Sequence, residues 1–374
     1  MPHSPEPQTP LSENAPGVSV GTSMPPDVPA DVNASAEAAA KATPTGFRAY
    51  LKLARPKQWT KSAFVLVGPL YGLVDHPKPL VETLVPALIT AVGFALLASA
   101  CYAINDIVDA PKDRLHPRKK WRPVASGAIS PRGATIFAGI LAVLGCAALV
   151  AYGEARWIVL ALGLAYAANV MVYSYSLKRV VIADVMCLSL GFVIRVLAGC
   201  AAAGVSPSTW LLNCTLFFAM FLAFGKRLGE RRTIVGDAST IRSVQSAYTD
   251  ELLRMMTLVT GVVTLLTYAG YVQSRDGTFR YVLTGAAKST DAVSGTVDLT
   301  DVANGVANTI ADSGAGFNAL WPTLIPVTYA LLRAIVLLER GRYDDPTELA
   351  SKDFPMQLAV VAFAACTIAA VFLT

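Results

Sequence analysis

The chain has 374 residues, of which 54% are hydrophobic and only 15% are charged, with a net charge of +5 and a mean hydropathy of +0.49. An average soluble domain carries about 25% charged residues. These values exclude an ordinary soluble globular fold. The six cysteines lie in apolar runs without metal-site spacing, and the three histidines are scattered, so a cysteine or histidine metal centre is also disfavoured.

The first predicted segment, residues 1–45, is a disordered tail. Nine of the 23 prolines lie within it, together with many Ser, Thr and Ala residues, so it buries too little apolar surface to fold. From Gly46 onward, apolar residues alternate with basic ones, a pattern that predicts a short helix lying in the headgroup layer. Pro56 and Trp59 then mark the turn into the first span. A single transmembrane catalytic domain is expected over residues 46–374.

Nine membrane spans are predicted from uncharged runs, most of them about 20 residues long. The predicted fold class is therefore an all-α, polytopic membrane bundle. In chain order the runs cover residues 62–74, 85–104, 133–153, 157–177, two spans within 185–225 separated near 204–208, 255–274, 313–332 and 354–374.

The orientation follows from the distribution of Lys and Arg. Alternate loops hold 24 of these residues and the intervening loops hold five. Positive charge is retained on the cytoplasmic side, so the N-terminus and the basic loops are predicted to be cytoplasmic. Residues 275–317 form the one long external loop, for which a loosely folded cap or insertion is expected.

An acidic motif lies at the cytoplasmic end of the second predicted span. Asn105, Asp109 and Asp113 recur every four residues, so a helix places them on one face with Asp106 beside them. Three neighbouring carboxylates repel one another unless a cation lies between them. Oxygen ligands without Cys or His suit Mg²⁺ that bridges to a phosphate-bearing substrate. The alternative is a solvated acidic helix end, salt-bridged to basic neighbours.

Basic residues follow this motif directly, among them Arg118, Lys119 and Arg122. A diphosphate leaving group requires Arg, Lys and Mg²⁺ because its developing negative charge must be neutralised. These side chains are therefore predicted to bind phosphate. The alternative is that they are positive-inside charges or contacts to anionic lipid.

A second polar constellation comprises Tyr173, Tyr175, Lys178, Asp184 and Arg195. The last two are eleven residues apart and share a helix face. An arginine inside the membrane is costly and usually faces a cavity or a partner. These side chains have alternative interpretations. Arg195 could pair structurally with a carboxylate or a backbone carbonyl, the two tyrosines could be interfacial belt residues, and Lys178 could be a positive-inside charge.

Lys226 and Arg227 open the next cytoplasmic loop. Singly they are ordinary loop charges. Every conspicuous polar cluster nevertheless lies on one predicted face of the membrane. This favours a cytoplasm-facing site over a transport path.

The Asn-Asp-x-x-Asp-x-x-x-Asp motif at 105–113, preceded by Arg-Pro-Lys-Gln-Trp at 55–59, resembles the UbiA-type superfamily of intramembrane prenyltransferases. The segments His-Pro-x-Lys-x-x-Arg-Pro at 116–123, Tyr-Ser-x-x-Leu-Lys at 173–178 and Gly-Lys-Arg at 225–227 are similar to the branch that transfers phosphoribose to decaprenyl phosphate. The resemblance runs from about residue 47 to the C-terminus, apart from the external insertion.

This resemblance implies a nine-helix bundle around a cytoplasmic-side central cavity that opens laterally to lipid. It implies a Mg²⁺-dependent transfer of 5-phosphoribose from 5-phosphoribosyl 1-diphosphate to polyprenyl phosphate, for arabinan-type cell-wall precursors. The expected location is the bacterial inner membrane. The partners are then the two substrates and the bilayer, with no nucleic acid, and a homo-oligomer is compatible with the sequence.

The resemblance also assigns roles to individual side chains. Asn105, Asp109 and Asp113 are the candidate Mg²⁺ ligands, and Asp109, Asp113 and Asp184 are the candidate catalytic carboxylates. The candidate substrate-binding residues are Lys57, Asp106, Arg118, Lys119, Arg122, Tyr173, Tyr175, Lys178, Arg195, Lys226 and Arg227.

Two other functions remain as alternatives. A prenyltransferase that acts on an aromatic acceptor belongs to the same superfamily, but the second aspartate pair of prenyl-diphosphate users is not evident, since Asp237 has no Asp four residues later. That favours a different donor. A secondary transporter is less favoured, because such proteins show internal repeats with broken helices at the midplane and the acidic motif lies at the membrane edge.

Overall fold

The computed structural model describes residues 46–75, 79–116, 119–233, 248–275, 280–282, 316–340 and 352–373. Nearly all of these residues are helical, which confirms the all-α prediction. The exception is a two-stranded antiparallel sheet with three residues in each strand. The predicted tail at 1–45 and most of the predicted insertion at 275–317 lie outside the described residues.

Ten α-helices follow one another in this part of the chain. They are α1 (Phe47–Ala54), α2 (Phe64–Asp75), α3 (Leu80–Asp113), α4 (Pro131–Val150), α5 (Arg156–Tyr175), α6 (Ala183–Ala203), α7 (Thr209–Thr233), α8 (Asp250–Ser274), α9 (Leu324–Glu339) and α10 (Phe354–Leu373). Short 3-10 helices cover Pro56–Ala63, Lys119–Trp121, Leu177–Arg179 and Trp321–Thr323. The strands are β1 (Arg280–Val282) and β2 (Gly316–Asn318).

Among the described residues, seven helical segments are long and apolar enough to cross a bilayer: α3 to α8, and Trp321–Glu339, in which a 3-10 helix leads into α9. The chain is therefore a multi-pass membrane protein. The first predicted span corresponds to α2, which has only 12 residues and contains Pro69. The last corresponds to α10, whose apolar part is Phe354–Ala370. The count of nine requires both of these shorter helices to cross the membrane, and it stays a prediction.

The eighth predicted span was expected to begin at residue 313, and this start is wrong. β2 and a 3-10 helix come first, and α9 begins only at residue 324. The side chain of Asn318 explains the delay, because it donates to the carbonyl of Val272 on α8 at 2.8 Å and accepts from the backbone of Leu320 at 2.9 Å. These bonds tie the first part of the apolar run to the end of α8 before a helix begins.

The core of the bundle surrounds α3, which is 34 residues long and packs against α2, α4, α5 and α6. Two close backbone approaches set this arrangement. A Cβ atom on Gly145 of α4 would lie 3.1 Å from the carbonyl of Gly93 on α3, and one on Gly199 of α6 would lie 1.7 Å from the carbonyl of Val65 on α2. Because a larger residue at Gly199 would push α2 away, this glycine holds the short helix against the bundle.

The predicted interfacial helix forms as α1 and packs onto α3 and α4. Ala49 and Leu53 are fully buried, whereas Phe47 is exposed. The helix ends at Arg55, whose φ of 53° lies in the left-handed region. Ser99 of α3 fixes the turn that follows, since its hydroxyl donates to the carbonyl of Ala54 at 2.7 Å. This geometry carries the Arg55 side chain to the acidic end of α3.

Candidate functional site

A polar cavity of about 400 Å³ opens at the C-terminal ends of α3 and α5. It includes most of the residues that the sequence singled out. The lining side chains are Arg55, Tyr102, Asn105, Asp106, Asp109, Lys112, Asp113, Lys119, Arg122, Tyr173, Ser174, Lys178 and Arg179. The structure therefore brings the acidic motif, the basic loop and the Tyr-Ser-x-x-Leu-Lys segment to one site.

Arg122 bridges two carboxylates of the acidic motif. One of its terminal nitrogens lies 2.7 Å from Asp113 Oδ2 and 3.3 Å from Asp106 Oδ1. Asp106 also accepts a hydrogen bond of 2.5 Å from Arg55. Both aspartates are buried, at 2% and 4% exposure. The repulsion expected between these carboxylates is thus relieved by guanidinium groups, one from the loop after α3 and one from the end of α1.

The opposite wall of the cavity comes from α5 and the 3-10 helix after it. Lys178 Nζ lies 3.8 Å from Asp109 Oδ1, and the side-chain amide of Asn105 donates to the hydroxyl of Ser174 at 2.8 Å. Both contacts join α3 to the α5 side of the site. Asp109 is the most accessible of the three carboxylates, with 34% of its side chain exposed.

Within the described residues, no group of three or more His, Cys, Asp or Glu side chains is arranged to hold a metal ion. Asp106 and Asp113 are instead both engaged by Arg122. The donors nevertheless fit Mg²⁺, which commonly binds one or two carboxylates and completes its octahedron with water and substrate phosphate. Asp109 and Asn105 line the cavity with oxygens of the required kind, and Asp113 would join them by releasing Arg122. The ligand set therefore stays a prediction.

The cavity is electropositive despite its aspartates. Six of its lining residues are Lys or Arg and three are Asp, a formal excess of three positive charges. Clefts lined by one sign of charge concentrate ligands of the opposite sign. The site is therefore suited to an anion that carries several negative charges.

Arg55, Tyr102, Lys112, Ser174 and Arg179 line the cavity although the sequence did not single them out as site residues. Arg55 belongs to the Arg-Pro-Lys-Gln-Trp segment, and this segment was the available signal. The other four lie within one or two turns of predicted site residues.

Seven predicted site residues are absent from the cavity lining, and four of them are exposed or lie outside the description. Lys57, Tyr175 and Lys226 are exposed, and they are not among the residues that line the cavity. Arg118 lies outside the described residues. Their predicted roles in substrate binding stay predictions.

Asp184 lies in a buried network and not in the cavity wall. Its carboxylate accepts hydrogen bonds from Arg227 on α7, from the hydroxyl of Tyr248 at 2.7 Å and from the backbone of Val185 at 2.8 Å. Burial raises the pKa of Tyr248 to about 12, so the phenol is protonated and acts as donor to the carboxylate. The catalytic role predicted for Asp184 stays a prediction, because its carboxylate is absent from the cavity lining.

Arg195 lies inside the helical core and is only 4% exposed. Its guanidinium donates to the carbonyl of Gly191 at 3.0 Å and to the hydroxyl of Tyr166 at 2.7 Å, and it stacks on the Tyr166 ring with a centroid distance of 4.3 Å. This arrangement corresponds to the structural alternative, pairing with a backbone carbonyl. Its predicted role in substrate binding is untested.

A second, apolar chamber of about 800 Å³ lies among α2, α7, α8, α9 and α10. Aromatic and aliphatic side chains line it, including Phe218, Phe221 and Ala330. The hydroxyls of its three threonines, Thr215, Thr264 and Thr367, donate to backbone carbonyls of their own helices. The chamber therefore offers an almost purely hydrocarbon surface.

Comparison with known proteins gives consistent matches. A model of the UbiA prenyltransferase family matches residues 63–288. The chain is 30% identical over 326 residues to the decaprenyl-phosphate phosphoribosyltransferase of Mycolicibacterium smegmatis, a match that covers 86% of this chain and 92% of the relative. It is 28% identical over 327 residues to the protein of the same name from Corynebacterium glutamicum, with 86% of each chain covered.

A solved structure has the same fold. The UbiA homolog from Archaeoglobus fulgidus bound to GPP and Mg²⁺ superimposes with a TM-score of 0.55 at 16% sequence identity, over 87% of this chain and 98% of the homolog. At this identity the likeness concerns the fold. It agrees with the all-helical bundle described above.

Proposed function

Because the chain belongs to the UbiA prenyltransferase family, we propose that it transfers 5-phosphoribose from 5-phosphoribosyl 1-diphosphate to a polyprenyl phosphate of the decaprenyl type. Diphosphate is the second product. The names of the relatives support this choice of substrates, since two of them at 28–30% identity are decaprenyl-phosphate phosphoribosyltransferases.

The observation that carries the proposal is the charge of the polar cavity. Six cationic side chains face three carboxylates across about 400 Å³. Phosphoribosyl diphosphate carries phosphate at both ends of a small sugar, so it needs cations spread over such a volume. The carboxylates supply the oxygen ligands for a Mg²⁺ ion that accompanies the diphosphate.

In the proposed reaction an oxygen of the lipid phosphate attacks C1 of the ribose. The bond between C1 and the diphosphate oxygen breaks, and the diphosphate leaves with the electron pair. The attacking phosphate is already anionic, so it needs no strong general base. Mg²⁺ when bound neutralises charge on the departing diphosphate.

Side chains of this chain provide the remaining stabilisation. Arg122, Lys119 and Lys178 lie around the acidic end of α3, where they neutralise the charge that develops on the leaving group. Asp109 is the most accessible carboxylate, and we assign it the first metal contact. Arg55 and Asp106 form the buried ion pair that supports this wall.

The lipid substrate requires an apolar surface. The chamber among α2, α7, α8, α9 and α10 offers one, and we assign part of the polyprenyl tail to it. The soluble donor must reach the polar cavity from water. The excess of Lys and Arg in the predicted cytoplasmic loops supports an entrance on the cytoplasmic side. The proposed setting is a bacterial inner membrane, where the product serves as a precursor for arabinan synthesis.

A direct assay tests this proposal. The purified protein, incubated with ribose-labelled phosphoribosyl diphosphate, polyprenyl phosphate and Mg²⁺, is expected to produce a labelled lipid that extracts into organic solvent. Asp109→Asn serves as the inactive control. If the label stays in the aqueous phase while a prenyl diphosphate and an aromatic acid are converted by the same preparation, the enzyme is instead an aromatic prenyltransferase.

A further inference from the structure

The turn that joins α5 to α6 carries two basic side chains of the polar cavity, Lys178 and Arg179. A few residues later, Ile182 has φ 67° and ψ −46°. A hydrogen bond of 2.8 Å joins the residues on either side of it, from the backbone nitrogen of Ala183 to the carbonyl of Val181. These values describe a γ-turn of the rare, strained form. A β-branched residue adopts positive φ only where the surrounding structure enforces it.

Tyr248 provides that constraint. Its hydroxyl oxygen accepts the backbone N–H of Ile182 at 2.7 Å and donates to Asp184 Oδ1 at 2.7 Å. The second carboxylate oxygen of Asp184 accepts from Arg227. Tyr248 is 1% exposed and Asp184 is completely buried. One phenol thus connects the backbone of the strained turn to an ion pair between α6 and α7.

Tyr248 is itself fixed to the neighbouring helices. Arg231 of α7 donates to the Tyr248 carbonyl at 2.8 Å and to Asp250 at the start of α8 at 2.6 Å. The phenol ring packs edge-on against Phe224, with 6.3 Å between ring centroids. The hydroxyl therefore has a defined position from which to hold the turn.

Among the described residues, the turn at Ile182 connects the Tyr248 network to the segment that lines the polar cavity. Tyr248, Asp184 and Arg227 are absent from the cavity lining, as far as the described residues define it. Lys178 lies four residues before Ile182, and its ammonium group is 3.8 Å from Asp109. The γ-turn therefore follows closely the short 3-10 helix that carries Lys178.

We propose that Tyr248 is a positioning residue, which clamps the γ-turn at Ile182 and thereby holds Lys178 in place for the anionic donor. Asp184 and Arg227 orient the phenol. This inference rests on the proposed function insofar as it takes phosphoribosyl diphosphate as the ligand of Lys178. The apolar chamber proposed for the polyprenyl tail lies in a different part of the molecule, so binding of the tail is expected to be independent of the clamp.

Tyr248→Phe isolates this role, because it keeps the ring and removes both hydroxyl contacts. The KM for phosphoribosyl diphosphate is expected to rise about tenfold, while the KM for polyprenyl phosphate stays the same. In a Lys178→Met background the same substitution is expected to change the donor KM less than about twofold, since interacting residues are not additive. Thr323→Val is the matched control, because it removes a different buried hydroxyl, the partner of Tyr268 at 2.7 Å.

A second readout does not depend on turnover. Lys178 in the full-length protein is labelled with an amine-specific acylating reagent and quantified by mass spectrometry. The contact of Lys178 Nζ with Asp109 at 3.8 Å limits access of the reagent to the amine. Release of Lys178 in Tyr248→Phe is therefore expected to raise its labelling rate, whereas Thr323→Val leaves the rate unchanged.

The outcomes separate the clamp from the proposed function. An unchanged donor KM together with unchanged Lys178 labelling in Tyr248→Phe overturns the clamp. A tenfold rise of the donor KM that Tyr248→Phe still causes in the Lys178→Met background also overturns it. If the wild-type protein does not use phosphoribosyl diphosphate but labelling still rises in Tyr248→Phe, the proposed function fails and the clamp stands.

Discussion

Replacement of Arg122 by Met tests the electrostatic basis of the proposed site. Its guanidinium lies 2.7 Å from Asp113 and 3.3 Å from Asp106, and 29% of its side chain is exposed. Asp106 keeps its 2.5 Å contact with Arg55 in the variant. Asp113, only 4% exposed, loses the guanidinium. The substitution therefore removes a proposed phosphate ligand and leaves one buried carboxylate with less charge compensation.

The two consequences have different magnitudes and different readouts. A hydrogen bond from a charged group contributes about 1.5–3 kcal/mol, so loss of the Arg122 contact to the diphosphate is expected to raise the donor KM about 10- to 150-fold. Destabilisation from the uncompensated carboxylate is expected to lower the melting temperature in detergent. Because Mg²⁺ and Asp113 attract each other, the melting temperature of the variant should recover when Mg²⁺ is added.

The assay is steady-state kinetics with ribose-labelled donor at saturating polyprenyl phosphate. Arg254→Met is the matched control, since it removes another paired arginine, whose partner is the half-buried Glu339, far along the chain from the acidic motif. A donor KM in Arg122→Met within twofold of the wild-type value would refute the assignment of Arg122 to the diphosphate.

Three further substitutions test other parts of the account. Asp109→Asn is expected to reduce Mg²⁺-dependent turnover by more than about 100-fold while membrane insertion is normal; retained activity across a Mg²⁺ titration would remove the metal role. Ala330→Trp fills the apolar chamber and is expected to raise the KM for polyprenyl phosphate without changing the donor KM. Ala165→Trp, on an exposed face of α5, is the control and is expected to change neither KM. An equal effect of the two substitutions would contradict the assignment of the tail to the chamber. Arg195→Met is expected to lower the melting temperature, because Tyr166 loses its buried partner, and to leave the donor KM unchanged. A raised donor KM would instead support the predicted role of Arg195 in substrate binding.

Hydropathy and helical spacing were sufficient to predict most of the bundle. The uncharged runs at 133–153, 157–177 and 255–274 agree closely with α4, α5 and α8. The error at the start of α9 has a local cause, since hydropathy cannot register the two hydrogen bonds by which Asn318 ties this stretch to α8. Polar side-chain contacts between segments distant in sequence carry no periodic signal.

The acidic face of α3 was equally accessible to sequence reasoning, because residues four apart share a face of a helix. Its partners were harder to assign. Arg55 precedes Asp106 by 51 residues, and the two meet only because α1 ends in a left-handed turn beside α3. Asp184 and Tyr248 are 64 residues apart in sequence but share a hydrogen bond. Sequence reasoning predicted Asp184 as a site residue and did not include Tyr248, because nothing in the sequence pairs them.

The proposed reaction breaks the bond between ribose C1 and the diphosphate oxygen and moves the phosphoribose to the lipid. A paired-label experiment measures this directly, with one sample of phosphoribosyl diphosphate labelled in the ribose and another in the terminal phosphate of the diphosphate. The account predicts that the ribose label appears in the lipid fraction and that the diphosphate label appears as free diphosphate, at equal rates and only when polyprenyl phosphate is present. Two results would contradict this reaction. One is diphosphate label in the lipid fraction, and the other is hydrolysis of the donor to free phosphoribose and diphosphate without formation of a labelled lipid.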